Sequence, residues 1–419
     1  MTVLHSAVGY ILLLGMAWLA GRRGRIPFRV VGVATLLQLL LTALLLLTGV
    51  RGPVFALAGD LAQLLRDTAL KANESLLFMG ISNPDFTARH GPIVALEIGG
   101  IIIFVASLTR ILYHYRLLPW IVGLVGRFMQ RLMGISGAES VGVAANVLVG
   151  MTEAPLLIRP YVSRLTESEL FCLMTAGMAT IAGTVMVVYA TMLGPVHPEI
   201  AGHLFTASLI SAPAAIAVAK LMIPESGQPQ TVGKRITPLP REDILNGLDA
   251  AARGAGEGMH LFINILAMLI AFIGLVALAN AAIGQIGLWL GSGPEPWSLQ
   301  LVAGHLFRVP VWLMGIPWRE TAAVGELMGV KTILNEFVAY ASLAERMTAD
   351  PTYLSPRSFL IATYALCGFA NFGSVAILIA GLGGIAPDRR GDLARLALRS
   401  LLGGTLATML TGCVVGLFL

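Results

Sequence analysis

Charge is what this sequence has least of. Only 12% of its 419 residues are Asp, Glu, Lys or Arg, about half the share of an average water-soluble domain. With 56% of the chain hydrophobic, there is more apolar surface than one soluble core could hide, which excludes an ordinary soluble enzyme or binding module. Cysteine is nearly absent as well. Cys172, Cys367 and Cys413 each sit inside an apolar stretch, without metal-type or redox-type pairing, so they read as small buried hydrophobes and exclude a disulfide framework. Catalytic signatures are missing too. No His-Glu-x-x-His or Gly-x-Ser-x-Gly occurs, and both Gly325–Thr332 and Gly227–Lys234 have the wrong spacing for a phosphate-binding loop. An intramembrane enzyme and an ATP-driven pump are therefore unsupported, and no enzymatic activity is expected.

The chain does contain repeated apolar runs of membrane-span length. Residues 5 to 20 and 30 to 50 read as the first two spans. No basic region precedes the first run, which reads as a span rather than a cleaved signal. Arg22, Arg23, Arg25 and Arg29 lie between the two spans and place that connection in the cytoplasm, with the amino terminus outside. Segments 53–85 and 116–134 mix charge with apolar residues and read as amphipathic surface helices. Further spans are expected at 92–115, 167–194, 203–223, 259–289, 357–384 and 397–418. Lys220, Lys234, Arg235 and Arg241 mark one later cytoplasmic loop, and Arg389, Arg390, Arg395 and Arg399 another. About eight crossings bring the carboxyl terminus outside. The expected fold is an all-α polytopic membrane protein.

Segments 136–163 and 297–348 do not fit as simple spans. They are apolar, yet Pro155, Pro160, Pro310 and Pro317 divide them, and each contains a carboxylate, Glu153 or Glu336. A charge at the centre of a spanning helix costs roughly 2.5–3.5 kcal/mol on insertion scales, so such residues face a cavity or a partner. Broken backbone at that depth survives only inside protein or beside water. Both segments read as re-entrant hairpins. Each is followed by a span interrupted by small polar residues, Gly177–Gly183 and Gly368–Ser374, which is the pattern of an inverted repeat around a transport site. Four regions follow: 1–134, scaffold spans and surface helices; 135–223, a first transport repeat; 224–296, a loop, a surface helix and a scaffold span; and 297–419, a second transport repeat with the last span.

Four motifs occur in order: Asn146-Val-Leu-Val-Gly-Met-Thr-Glu-Ala-Pro-Leu-Leu-Ile-Arg-Pro160, Met174-Thr-Ala-Gly-Met-Ala-Thr-Ile-Ala-Gly183, Leu334-Asn-Glu-Phe-Val-Ala-Tyr340 and Ala365-Leu-Cys-Gly-Phe-Ala-Asn371. From about residue 90 to the end the chain closely resembles the concentrative nucleoside transporters. The resemblance implies a homotrimer in the inner membrane, each protomer having eight spans and two re-entrant hairpins, that imports nucleosides by cation symport. Carried over by position, Thr152 and Glu153 address the base, beside Met151. Glu336, Asn371 and Ser374 hold the ribose hydroxyls, and Val185, Phe369 and Leu261 line the pocket. Sodium is implied at Asn146 and Thr180 side-chain oxygens with the Val149 and Ile181 carbonyls. Protons are the alternative coupling ion, and a channel or sensor without concentrative transport is the alternative function. No organic cofactor and no nucleic-acid partner is expected.

The residues support this cargo on their own chemistry. Ionised carboxylates only accept hydrogen bonds, so two of them favour a ligand rich in O–H and N–H donors and disfavour phosphate. Simpler readings of single residues stay open: Glu153 as a partner of Arg159, Asn146 as a helix cap, Thr180 bonding back to its own helix, and Ser374 as a packing residue. His305 is ambiguous, and Thr166 with Glu169 reads as a structural capping box. Trp120, Trp297 and Trp318 read as an interfacial belt. Met151 stands where the family commonly has glutamine, so no side-chain amide faces a base edge there. A shift toward purine nucleosides is the expectation.

Overall fold

The computed structural model describes residues 2–72, 94–234, 236, 244–289 and 297–419. Among these the chain is helical, with no strand. Residues 73–85 of the expected surface helix, and Arg235 and Arg241, lie outside the described residues. Helices α1 (Thr2–Ala20) and α2 (Phe28–Leu47) flank the arginine-rich connection, and α3 (Arg51–Ala72) follows. Helix α4 (Val94–His114) turns by 74° into α5 (Leu117–Met133). The turn passes through Arg116, whose φ of 62° is left-handed. Helix α5 buries Val122, Gly126, Met129 and Met133 and exposes Trp120, Phe128, Arg127 and Arg131, as an interfacial helix should.

The remaining chain runs twice through one order of elements. First come the hairpin arm α6 (Gly137–Leu148), the short return turns α7 (Ala154–Leu157) and α8 (Arg159–Val162), the interrupted pair α9 (Glu167–Ala179) and α10 (Gly183–Leu193), and the long α11 (Ile200–Met222). The 43-residue α12 (Gly247–Trp289) intervenes. Then α13 (Leu299–Leu313) leads to the hairpin α14 (Thr321–Ile333) and α15 (Glu336–Ala349), the interrupted pair α16 (Pro356–Leu366) and α17 (Phe372–Ile385), and the long α18 (Arg390–Phe418). The packing repeats as well: α5 lies on α6 as α13 lies on α14, and α9 on α11 as α16 on α18. Among the described residues six helical stretches are long and apolar enough to cross a bilayer, or seven if α4 and α5 count as one bent span. The chain is an all-α polytopic membrane protein.

Two expectations about breakage need correction. Pro310 lies inside the unbroken α13, near its end, where its missing N–H removes a single bond. Pro317 does stand at a break, just before the short 3-10 turn Trp318–Glu320. The tip of the second hairpin, however, falls at Leu334–Asn335, where the Asn335 side chain accepts from the Val338 amide and starts a new helix. In the first hairpin Pro155 and Pro160 stand in the opening turns of α7 and α8, where a proline is tolerated.

Buried polar contacts fix the base of the first hairpin. Lys220 Nζ lies 2.6 Å from Glu139 and donates to Ser168 at 2.9 Å, all three side chains being buried. The Thr166–Glu169 capping box forms as expected, and Glu169 also accepts a short hydrogen bond from Ser136, the cap of α6. Removing one member of such a buried ion pair costs about 3–5 kcal/mol, because the other charge stays behind. Small residues set the scaffold spacing. A Cβ on Gly254 or Gly258 of α12 would come within 2.7 Å of the α4 backbone, so these glycines let the two helices touch.

Gly150 shapes the tip of the first hairpin. Its φ is +94°, and a Cβ there would lie 2.7 Å from the Ala182 Cβ in the break between α9 and α10. Gly150→Ala should destabilise the purified protein by about 1–2 kcal/mol from the backbone conformation alone and slow uptake. A thermal melt and uptake rate equal to wild type would contradict this packing.

Candidate functional site

The two hairpin tips and the two helix breaks meet at one cleft. Its walls include Met151, Thr152, Glu153, Val185, Leu261, Glu336, Phe369, Asn371 and Ser374, together with Tyr189 and Asn335. All nine residues expected to touch a substrate are therefore brought together. Asn335 and Asn371 each begin a helix at the cleft, accepting from the amides of Val338 and Ser374 at 2.9 and 2.7 Å. Helix N-termini carry partial positive charge. The α15 N-terminus thus stabilises Glu336, its first residue, in a buried position.

Glu336 is the hub of the polar contacts. Its two oxygens accept from Tyr189 Oη at 2.7 Å and Asn371 Nδ2 at 2.9 Å. Two carboxylate oxygens offer about four lone-pair sites, so both can still accept from a ligand's hydroxyls. Ser374 lines the wall through a buried side chain while its amide completes the α17 cap. Met151 is 7% exposed, and a Cβ on Gly177 would lie 2.8 Å from its Cβ. Its thioether therefore packs at the tip without supplying an amide.

The four residues expected around a cation lie behind the first tip. Asn146 is not a cap: it sits in the last turn of α6, donating through Nδ2 to the Gly142 carbonyl at 3.0 Å. Its buried Oδ1 has no hydrogen-bond partner among the described residues. Thr180 ends α9 and bonds back to the Ala176 carbonyl at 2.9 Å, as the simpler reading allows, with the Asn146 carbonyl 3.3 Å away. The Ile181 carbonyl accepts from Ser208 Oγ at 3.4 Å, and Val149 caps α6. Carbonyl and amide oxygens at helix C-termini suit a hard cation. No cluster of three His, Cys, Asp or Glu occurs among the described residues. His305 lies apart on α13, held by its own helix at the Leu301 carbonyl.

Comparison with known proteins settles the family. Residues 203–416 match the model described as the Na+ dependent nucleoside transporter C-terminus, and residues 95–196 match one described as nucleoside recognition. The nucleoside permease NupC of Helicobacter pylori is 36% identical, over 99% of this chain and 98% of its own length. An uncharacterized transporter of Haemophilus influenzae is 38% identical over the full chain and 98% of its own. This chain belongs to the concentrative nucleoside transporter family. The solved structure of CNTnw in an inward-facing substrate-bound state superposes with a TM-score of 0.91 at 36% identity, covering 100% of this chain and 98% of that one. The sodium/nucleoside cotransporter 1 of Rattus norvegicus is 38% identical over 78% of this chain and 51% of its own.

For a family of nucleoside carriers the added wall residues matter. Tyr189 went unnoticed in the sequence because it sits in a valine-rich helical stripe, although it follows Val185 by four residues and so shares its face. Its O–H bond to a buried carboxylate should matter to substrate affinity. Tyr189→Phe is expected to weaken nucleoside transport about tenfold through the lost charge-assisted bond, measured as the uptake half-saturation. An unchanged value in a well-folded variant would remove Tyr189 from the site.

Proposed function

We propose that the chain imports nucleosides by alternating access in symport with sodium. The observation that carries this reading is the cleft itself, where Glu153 and Glu336 line one space with two helix N-termini. In the proposed arrangement Thr152 and Glu153 face the base. Glu336, Asn371 and Ser374 hold the ribose hydroxyls, and Val185, Leu261 and Phe369 close around the rings. A site built to accept from a hydroxyl rejects an analogue lacking it, because buried groups are left unpaired. Glu336→Gln and Asn371→Ala should each abolish uptake while the protein still inserts. Full uptake of labelled uridine or inosine by either variant would refute the ribose assignment.

Sodium is proposed at Asn146 Oδ1, Thr180 Oγ1 and the Val149 and Ile181 carbonyls. The unpartnered, buried Oδ1 supports it, since a bare acceptor there gains most from a cation. A proton would need a titrating group, and these four oxygen donors are neutral. Each positive charge carried inward gains about 2.3 kcal/mol per 100 mV. Uptake into proteoliposomes should follow an imposed sodium gradient, and Asn146→Ala should lose that dependence. Uptake that ignores sodium and follows a pH gradient would instead favour proton coupling, and failure to accumulate against a gradient would favour a channel.

Residues 135–223 and 297–419 are proposed as the two inverted transport repeats, hairpins re-entrant, against a scaffold of 1–134 and 224–296. Both termini are proposed to lie outside. The apolar flank of α12, where Ile270 is 76% and Leu278 71% exposed, fits burial in lipid or against two further copies in a homotrimer. At the base, Met151 is proposed to shift preference toward purine nucleosides. Met151→Gln should then restore competition by uridine and cytidine, and a strict pyrimidine preference in the unaltered protein would overturn this.

A further inference from the structure

The two repeats treat equivalent positions differently. In the first hairpin, Asn146 stands three residues before Val149, the C-cap of α6. In the second, Lys331 stands three residues before Leu334, the C-cap of α14. Beside each lies the C-terminal end of an interrupted helix, α9 or α16, and the long helix that follows it. The first repeat gathers acceptors there: Asn146 Oδ1, Thr180 Oγ1 and the Ile181 carbonyl, with Ser208 of α11 alongside. The second gathers the Ala365 carbonyl from the last turn of α16 and Thr408 Oγ1 of α18. Lys331 Nζ bonds to both, at 2.8 and 3.0 Å.

Lys331 is completely buried. No carboxylate lies within ion-pair distance of it among the described residues, and the Ala365 carbonyl and Thr408 hydroxyl it bonds to are neutral oxygens. A lysine in that setting is costly unless the local field favours a cation. Here two helix C-termini, those of α14 and α16, each bring partial negative charge. The same field acts at the first tip, where α6 and α9 end.

We propose that the Lys331 ammonium is a tethered cation, filling in the second repeat the place that sodium takes in the first. Hairpin 2 is then held to its broken helix by a charge that never leaves, and only the first repeat exchanges its ion. The assignment rests on the sodium reading given above. It makes Lys331 a positioning residue, which sets the ion count at one per cycle and holds Glu336, five residues on, at the cleft.

The test is nucleoside uptake against sodium concentration in proteoliposomes, using the full chain, with labelled sodium and nucleoside fluxes measured together. The unaltered protein should show a Hill coefficient of about 1 for sodium, and Lys331→Asn, which copies the first repeat, a coefficient rising toward about 2. Its nucleoside affinity should fall about tenfold or more at low sodium and recover at high sodium. An inserted Lys331→Asn with unaltered affinity and coefficient, or a loss that sodium does not restore, would overturn the proposal. If that variant does not insert, Thr408→Val serves: nucleoside affinity should drop with the sodium activation curve unmoved, and unchanged affinity would count against the tether. Asn146→Ala separates the two claims. Wild-type sodium activation in that variant would refute the first-repeat site itself, whatever Lys331 does.

Discussion

Four helices in this chain stop in the middle of the fold, and an apolar surrounding offers their free ends nothing to bond to. Much of the site's arrangement follows from that constraint. Where α15 and α17 begin, asparagine side chains take the first amides, and the partial positive charge of each terminus faces the cleft. Where α6, α9, α14 and α16 end, carbonyl oxygens accumulate without amides to receive. The N-terminal ends suit a carboxylate and a donor-rich ligand, and the C-terminal ends suit a cation. Ends that would be defects in a plain span supply the groups proposed to bind.

Bringing those ends together requires close approach, and glycine supplies it at a few places. At Gly150 the backbone is left-handed and the neighbouring Ala182 leaves no room for a side chain. Gly177 has Met151 and Asn146 Oδ1 against its open face, at 2.8 and 3.4 Å from a Cβ placed there. Elsewhere the hairpin base relies on polar anchoring, through Lys220 with Glu139 and Glu169 with Ser136. These contacts hold the base of the hairpin, while its tip is seated by close packing of Gly150 on Ala182 and of Met151 on Gly177.

Much of this was legible in the sequence, for reasons that particular residues make plain. The apolar runs gave the fold class, since the membrane allows so few solutions. About eight crossings were expected, but six or seven helical stretches of span length are found among the described residues, because 357–384 is divided into α16 and α17. Glu153 and Glu336 stood out because charge is rare in such surroundings, and both line the cleft. Prolines misled at Pro310, where local propensity suggested a break that tertiary packing overrides. The break at Leu334–Asn335 depends on a side-chain cap that no hydropathy pattern reveals. Tyr189 was hidden because an aromatic in an apolar stripe resembles packing. Lys331 carried no legible role in the sequence, because its two acceptors, Ala365 and Thr408, are distant along the chain.

The tip of the first hairpin links the proposed ion to the nucleoside. Val149 lies in the cleft wall and also ends the helix whose last turn holds Asn146. Met151, on the cleft side, packs against Gly177, and the same glycine lies next to Asn146 Oδ1. A cation that orders this turn would therefore order the wall proposed to receive the base, with few residues in between. Binding linkage is reciprocal, so a nucleoside that holds the tip closed must also retain the ion. Symport needs no separate coupling device on this arrangement. In the proposed symport, the shared turn would make the half-loaded states, with one ligand only, the unfavourable ones.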